Sequence, residues 1–409
     1  MKYLTRFATG KRASLLVLFA LAAMIVQTVE AQSFGVIYNF TGGSDGGNPL
    51  AGFIQDSAGN MYGTTSSGGS AGNGVVFKVT QAGQETVLYN FQGWPTDGAN
   101  PYAGLLMDSA GNLYGTTNSG GIHDLGAIFK LSKNGHETLL HSFAVTNDGY
   151  YPNSGLIMDG LGNLYGTTTA GGVYGGGAVF ELTRSGEETV LYSFGNGTDG
   201  ATPVAGVTMD SKGNLYGTTS LGGTYSYGVV FQLVRTPLET IPYAPPSYEW
   251  KENVLYNFTM QNDGGVPYAG VIFDHAGNLY GAATEGGQGG TNGGGTVFKL
   301  SPSNGVWNFT LLYDLSGWNI SGTYQDLLLD ASGNIWATTH CDGDDQAGTV
   351  YELSPSNGTW SYNQLYEFTG GTDGLYSFSN IVTDKQGNLY GTTKQGGAYG
   401  YGVVFKVIP

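Results

Sequence analysis

Gly111-Asn112-Leu113-Tyr114-Gly115-Thr116-Thr117 is one of seven near-copies of a single phrase, which begin at Gly59, Gly111, Gly162, Gly213, Gly277, Gly333 and Gly387. The intervals between them are 52, 51, 51, 64, 56 and 54 residues. A recurring period of this size marks one supersecondary unit used repeatedly, because a single unit cannot bury its own apolar face. Repetition also bears on chemistry: a residue present in every copy is expected to serve the fold.

Outward from the phrase, the second unit reads as four strands. Tyr102 to Asp108 is a short apolar run, strand a. Ser109-Ala110-Gly111-Asn112 suits a hairpin turn, being made of residues that tolerate positive φ or cap their own backbone. Leu113 to Thr117 is strand b, and after a Gly-rich loop Ala127 to Leu131 alternates as strand c. Lys133 to His136 turns again, and Glu137 to Phe143 is strand d. No helical periodicity follows the N-terminal segment. The expected fold class is all-β, a seven-bladed β-propeller of four-stranded antiparallel blades. The chain stops at a strand c, Val403 to Val407, while a spare strand d, Val36 to Phe40, precedes the first strand a. Strand 36–40 is therefore expected to complete the last blade and close the ring, whereas an open solenoid would leave both ends unpaired. Strand direction places the d–a and b–c connections on one face, the top, and the other turns on the bottom. Strand b is expected to lie near the axis.

Lys2, Arg6, Lys11 and Arg12 precede an apolar run from Ala13 to Val26, and Val29-Glu30-Ala31 offers small residues before Gln32. That pattern predicts a secretory signal peptide over 1–31, cleaved after Ala31, since the run falls short of the ~20 residues a membrane span needs. Residues 32–409 then form a single propeller, with an insertion at 235–253 in the fourth c–d connection. No later segment reads as membrane-spanning. The whole chain carries 15 basic and 31 acidic residues, and losing the segment removes four basic and one acidic, for a net charge of −19. Such a chain repels phosphate backbones, so nucleic acid is not an expected partner. With Cys341 the one cysteine, no intrachain disulfide can form.

The full phrase joins strand d, Thr-Asp-Gly, Ala-Gly-Leu, Asp-Ser-x-Gly-Asn-Leu-Tyr-Gly-Thr-Thr, Gly-Gly and Val-Phe-Lys-Leu. It resembles the GloVer (Gloeo/Verruco) tandem repeat of exported bacterial proteins over residues 35–408. More distantly it is similar to NHL and streptogramin-lyase propellers, whose inner hairpin also carries an Asp, a Gly-Asn and an aromatic. The GloVer resemblance implies export and no particular biochemical role. Proteins with that repeat carry varied C-terminal anchors, whereas this sequence ends on strand c at Pro409. The expectation is a released or periplasmic monomer.

Two sets of carboxylates recur. Asp45, Asp97, Asp148, Asp199, Asp263 and Asp373 lie in d–a loops, and Asp56, Asp108, Asp159, Asp210, Asp274, Asp330 and Asp384 precede a–b hairpins. Both sets read as turn residues; the hairpin set lacks the alternating acidic ligands of a calcium loop. Chemistry is sought instead where the copies differ. Just after Thr-Thr the seven residues are Ser66, Asn118, Thr169, Ser220, Thr284, His340 and Lys394. A polar, non-identical ring at a channel mouth suits a small polar ligand such as a sugar. The sixth unit departs most: its d–a loop, Leu315 to Ser321, has lost the Asp, and its b–c loop reads His340-Cys341-Asp342-Gly343-Asp344-Asp345. His340, Asp342, Asp344 and Asp345 offer donors for a divalent cation, the one cofactor the sequence suggests. His340 with Glu285 or Asp342 could act as acid and base. His123 and Asp124 also fall in a top loop, whereas His136, His141 and His275 read as incidental. The insertion, with Tyr243, Tyr248 and Trp250, reads either as a docking arm or as a cover over the blade edge. The leading function is a binding or scaffold module facing a glycan, peptide or surface partner through the top. The alternatives are a lyase or hydrolase at the channel mouth and a purely structural surface protein.

Overall fold

The computed structural model describes residues 32–145, 147–237, 248–288, 293–315 and 322–409. The expected signal segment 1–31, the tip of the insertion with Tyr243, and residues 316–321 of the sixth d–a loop lie outside them. The described residues contain no helix and form seven four-stranded antiparallel sheets, each ordered a–b–c–d, arranged as a seven-bladed propeller. The second blade consists of Leu106–Met107, Leu113–Thr117, Ala127–Leu131 and Glu137–Ser142. The last blade takes Val382–Thr383, Leu389–Thr393 and Val403–Ile408 from the C-terminal end and Ser33–Asn39 from the N-terminal end. Phe34 pairs with Val407 and Tyr38 with Val404, which closes the ring as the offset of the copies requires.

Each residue of the repeated phrase has a geometric task. In the first copy, Asp56 Oδ1 accepts the N–H groups of Ala58 and Asn60 at 2.9 Å, and Oδ2 accepts Asn60 Nδ2 at 2.7 Å and the Tyr62 hydroxyl at 3.0 Å. Burial pushes the Asp56 carboxyl up, but these donors outweigh it and hold the group below its ordinary range. Gly59 turns the hairpin at φ +80°. Gly63 is glycine because the Phe77 ring of strand c fills the space of its Cβ, 2.7 Å away. The sixth copy has Ala337 there, opposite Tyr351, whose hydroxyl meets Thr323 Oγ1 at 2.8 Å.

The first Thr of each pair bonds the next blade. Thr64 Oγ1 donates to Ala103 O at 2.9 Å, Thr116 to Ser154 O at 2.9 Å and Thr338 to Ser379 O at 3.0 Å. Thr392 donates to Ala51 O at 3.0 Å, joining the last blade to the first. The fifth copy has Ala282 at this position, and Thr284 reaches Thr323 O instead, at 3.3 Å. Between blades lie apolar layers; Phe40, Phe53, Phe77, Tyr390 and Val404 form the one across the closure. Thr392→Val leaves the buried Ala51 carbonyl unpaired and is expected to cost about 1–2 kcal/mol in chemical denaturation, with Thr64→Val costing a similar amount.

The radial order differs from the sequence expectation. The axial cavity is walled by residues of strand a and the approach to it, so strand a, not strand b, is innermost. The fourth c–d connection is also more regular than an arm: Val229–Pro237 and Tyr248–Asn257 continue the outer hairpin, with Arg235 over the Tyr248 ring at 4.1 Å. Trp250 packs against the apolar layer between the third and fourth blades, so the described flanks cover the blade edge.

Candidate functional site

A cavity of about 440 Å³ runs along the axis. Its wall is built by one position of every repeat, two residues ahead of strand a's glycine: Leu50, Tyr102, Asn153, Val204, Tyr268, Tyr324 and Phe378. Each is partly exposed, and all but Tyr324, which Gln325 follows half-buried, lie between two buried neighbours, as alternation along an extended inner segment demands. In five repeats the glycine (Gly52, Gly104, Gly155, Gly206 and Gly270) lets adjacent inner strands crowd together; a Cβ on Gly206 would stand 3.0 Å from Gly155 O. The sixth and seventh repeats carry Asp326 and Asn380 instead. Asp326 Oδ1 accepts the Gly270 N–H at 2.7 Å. Asp326 lies deep in the protein yet is exposed to solvent through the cavity. Burial raises its carboxyl and the Gly270 N–H opposes this; its exposure through the cavity weakens the rise.

The cavity has an aromatic side and an opposite, mixed one. Tyr268, Tyr324 and Phe378 come from consecutive blades, with ring centroids 5.1 Å and 5.2 Å apart. His340 packs against this side at the mouth, 4.2 Å from Phe378, 4.6 Å from Tyr376 and 5.0 Å from Tyr324. Lys394 Nζ stands over the Phe378 ring at 5.3 Å. Burial, with Lys394 beside it, lowers the His340 pKa to about 4, so the imidazole is neutral at physiological pH. Its Nδ1 is buried and bonds no protein group. Burial pushes the Tyr324 phenol up to about 12, with Tyr268, Cys341 and Glu285 adding to the rise. Burial and then Glu285 also raise Tyr268, so the Glu285 carboxylate acts on two wall residues.

Of the seven positions after Thr-Thr, most are committed to the fold. The hydroxyls of Ser66, Thr169 and Ser220 donate to the carbonyls of Asn48, Tyr151 and Thr202 at 2.8, 2.9 and 3.0 Å. Thr284 is fully buried and bonded to Thr323. Asn118 Nδ2 donates to Asn153 Oδ1 at 2.7 Å and so orients a wall residue. His340 and Lys394 are the two that face the aromatic side. Among the described residues, the donors of His340, Asp342, Asp344 and Asp345 do not converge on one point. Asp342 accepts the Gly343 N–H at 2.9 Å, and the Asp344 N–H donates to Glu367.

The recurrent d–a Asp residues are turn residues, as expected: Asp45 accepts the Tyr38 hydroxyl and the Thr41 N–H at 2.9 Å. The wall position escaped the sequence reading although its signal was present. It varies from repeat to repeat inside a stretch whose neighbours repeat. Among the described residues, the exposed large apolar side chains lie on the top loops, Trp94, Tyr174, Tyr225, Tyr399 and Tyr401 among them; Leu161, Val306 and Leu311 are the exceptions.

The solved structures similar to this chain include two proposed enzymes. One is a proposed gluconolactonase, with TM-score 0.37 and 15% identity, matched over 69% of this chain and 80% of that one. The other is a proposed oxidoreductase (glucose dehydrogenase) from Thermus thermophilus, with TM-score 0.44 and 12% identity, matched over 92% of this chain and 100% of that one. No curated protein matches the sequence. The model of the Gloeobacter/Verrucomicrobia repeat matches residues 22–231 and 243–409, nearly the whole propeller, and the chain belongs to that family.

Proposed function

We propose that the protein is a binding module which takes a small polar ligand with an apolar face, such as a sugar residue of a glycan, into the top of the axial cavity. The aromatic side formed by Tyr268, Tyr324 and Phe378 is the observation that carries this reading. Aromatic faces bury C–H surface, while a few fixed polar groups set orientation. Asn153, Gln325 and Asp326 supply such groups within the cavity, and the orphaned Nδ1 of His340 supplies one at the mouth. The exposed aromatics of the top loops would extend the contact along a longer chain.

Catalysis has weaker support. With its pKa lowered to about 4, His340 is a weak base at pH 7, and its ring is stacked among aromatics, with no carboxylate bonded to it. Screening on a glycan array separates the readings. Wild-type protein is expected to bind saturably, and Tyr324→Ala is expected to weaken binding by ~10-fold or more, about 1.4 kcal/mol. Glycan turnover abolished by His340→Ala with Glu285→Ala would instead establish an enzyme. Binding untouched by Tyr324→Ala and Phe378→Ala would remove the cavity from the account.

A further inference from the structure

Among the described residues away from the axis, one group of side chains brings its donors together, at the junction of the second and third blades. His141 lies in the outer strand Glu137–Ser142, Asp148 in the loop that follows, and Glu188 opens the next outer strand, Glu188–Ser193. One ring nitrogen or carboxylate oxygen from each lies within 4.8 Å of the others, and His141 Nε2 is 3.3 Å from Asp148 Oδ2. Glu188 Oε1 is shielded from solvent and meets no donor.

Sister junctions show what is unusual here. The matching trios are Tyr38, Asp45 and Glu85; Tyr89, Asp97 and Glu137; and Tyr192, Asp199 and Glu252. There the phenol donates to the Asp at 2.9, 2.8 and 3.0 Å. A neutral phenol is a poor cation ligand. At the second blade the phenol is replaced by an imidazole, which burial holds in its neutral, lone-pair-bearing form against the opposing pull of Asp148. Once a bound ion has displaced the proton of Glu188, two carboxylates and one imidazole carry two negative charges, which a divalent ion offsets, and one nitrogen with few oxygens disfavours calcium and magnesium.

We propose that His141, Asp148 and Glu188 bind a divalent transition-metal ion of the zinc class, which clamps the second blade to the third and keeps water in its remaining positions. The chain has five histidines, and the sequence alone set this one aside as incidental.

The test is titration of the chelator-treated full chain with cobalt(II), read by its visible absorption, and with zinc by calorimetry. One ion per chain is expected, together with a rise in melting temperature. His141→Tyr restores the residue of the sister junctions, so folding should survive while uptake falls by ~10-fold or more. Glu188→Gln should weaken uptake similarly, and His340→Ala should leave it unchanged. Equal uptake by wild type and His141→Tyr, no uptake by wild type, or loss of uptake in His340→Ala would each overturn the proposal.

Discussion

Removal of residues 32–40 should destroy the cooperative fold rather than fray one blade. The deletion bares the outer edge of Val403–Ile408 along its whole length and takes away Phe40, which is fully buried between the last and first blades. Phe40 meets the Phe77 ring at 5.0 Å and the Tyr38 ring at 5.2 Å. Phe34 stacks on Tyr366 at 3.8 Å and also leaves with the segment. Loss of these aromatics and of six strand pairings exceeds the roughly 5–15 kcal/mol by which domains are stable. Phe40→Ala gives a graded version, expected to cost about 3–5 kcal/mol in chemical denaturation. A deletion variant that melts cooperatively within a few degrees of wild type would show that the ring does not depend on its N-terminal strand.

Stability should also fall as pH rises from 5 to 8. Glu85, Glu137, Glu188 and Glu252 each have their pKa pushed up to about 7, first by burial and then by Asp45, Asp97, Asp148 and Asp199 respectively. The folded-state pKa lies above the unfolded one, so the protonated carboxyl stabilises the fold. That contribution is complete below about pH 4.5 and is lost as pH rises through about 7. All four groups are only partly buried, so solvent screening cuts the effect to about 1 kcal/mol each, a few kcal/mol in all. The hairpin carboxylates Asp56, Asp108, Asp210, Asp274 and Asp384 have lowered pKa values and act in the opposite sense, losing their contribution in acid well below pH 5. Melting curves in chelator across this range should show the fall between pH 5 and 8. A combined Glu85→Gln, Glu137→Gln and Glu252→Gln variant should flatten it, and an unchanged slope in that variant would refute the assignment.

Much of this architecture was legible in the repeated phrase. Gly-Asn turns the hairpin, the Tyr and Asn satisfy the preceding Asp, and the missing outer strand at one end matched the spare strand at the other. These are local or counting arguments, and local chemistry is what a sequence carries most directly. Radial order is different. Each strand is a short run with several apolar or β-branched residues, so its sequence does not say which edge of the blade meets the axis; that depends on how seven blades pack. Placing strand b near the axis pointed to Ser66, Thr169 and Ser220, whose hydroxyls turn out to cap nearby carbonyls. His340 and Lys394 instead lie against the Phe378 ring. His141 was passed over for a related reason. Its partner Glu188 belongs to the next repeat, and only the packing of one outer strand against another brings the two together.

The claim that recognition takes place at the axis can be tested directly by methyl NMR, using a glycan selected on the array. Leu50, Ile157, Val204 and Ile272 line the cavity, Val173 and Leu221 sit on the top loops, and Leu161 and Val306 lie on the far side. Saturable shifts at the cavity methyls, strongest at Leu50 and Val204 and absent at Leu161 and Val306, are predicted. Shifts confined to Val173 and Leu221, with the four cavity methyls unmoved, would contradict it.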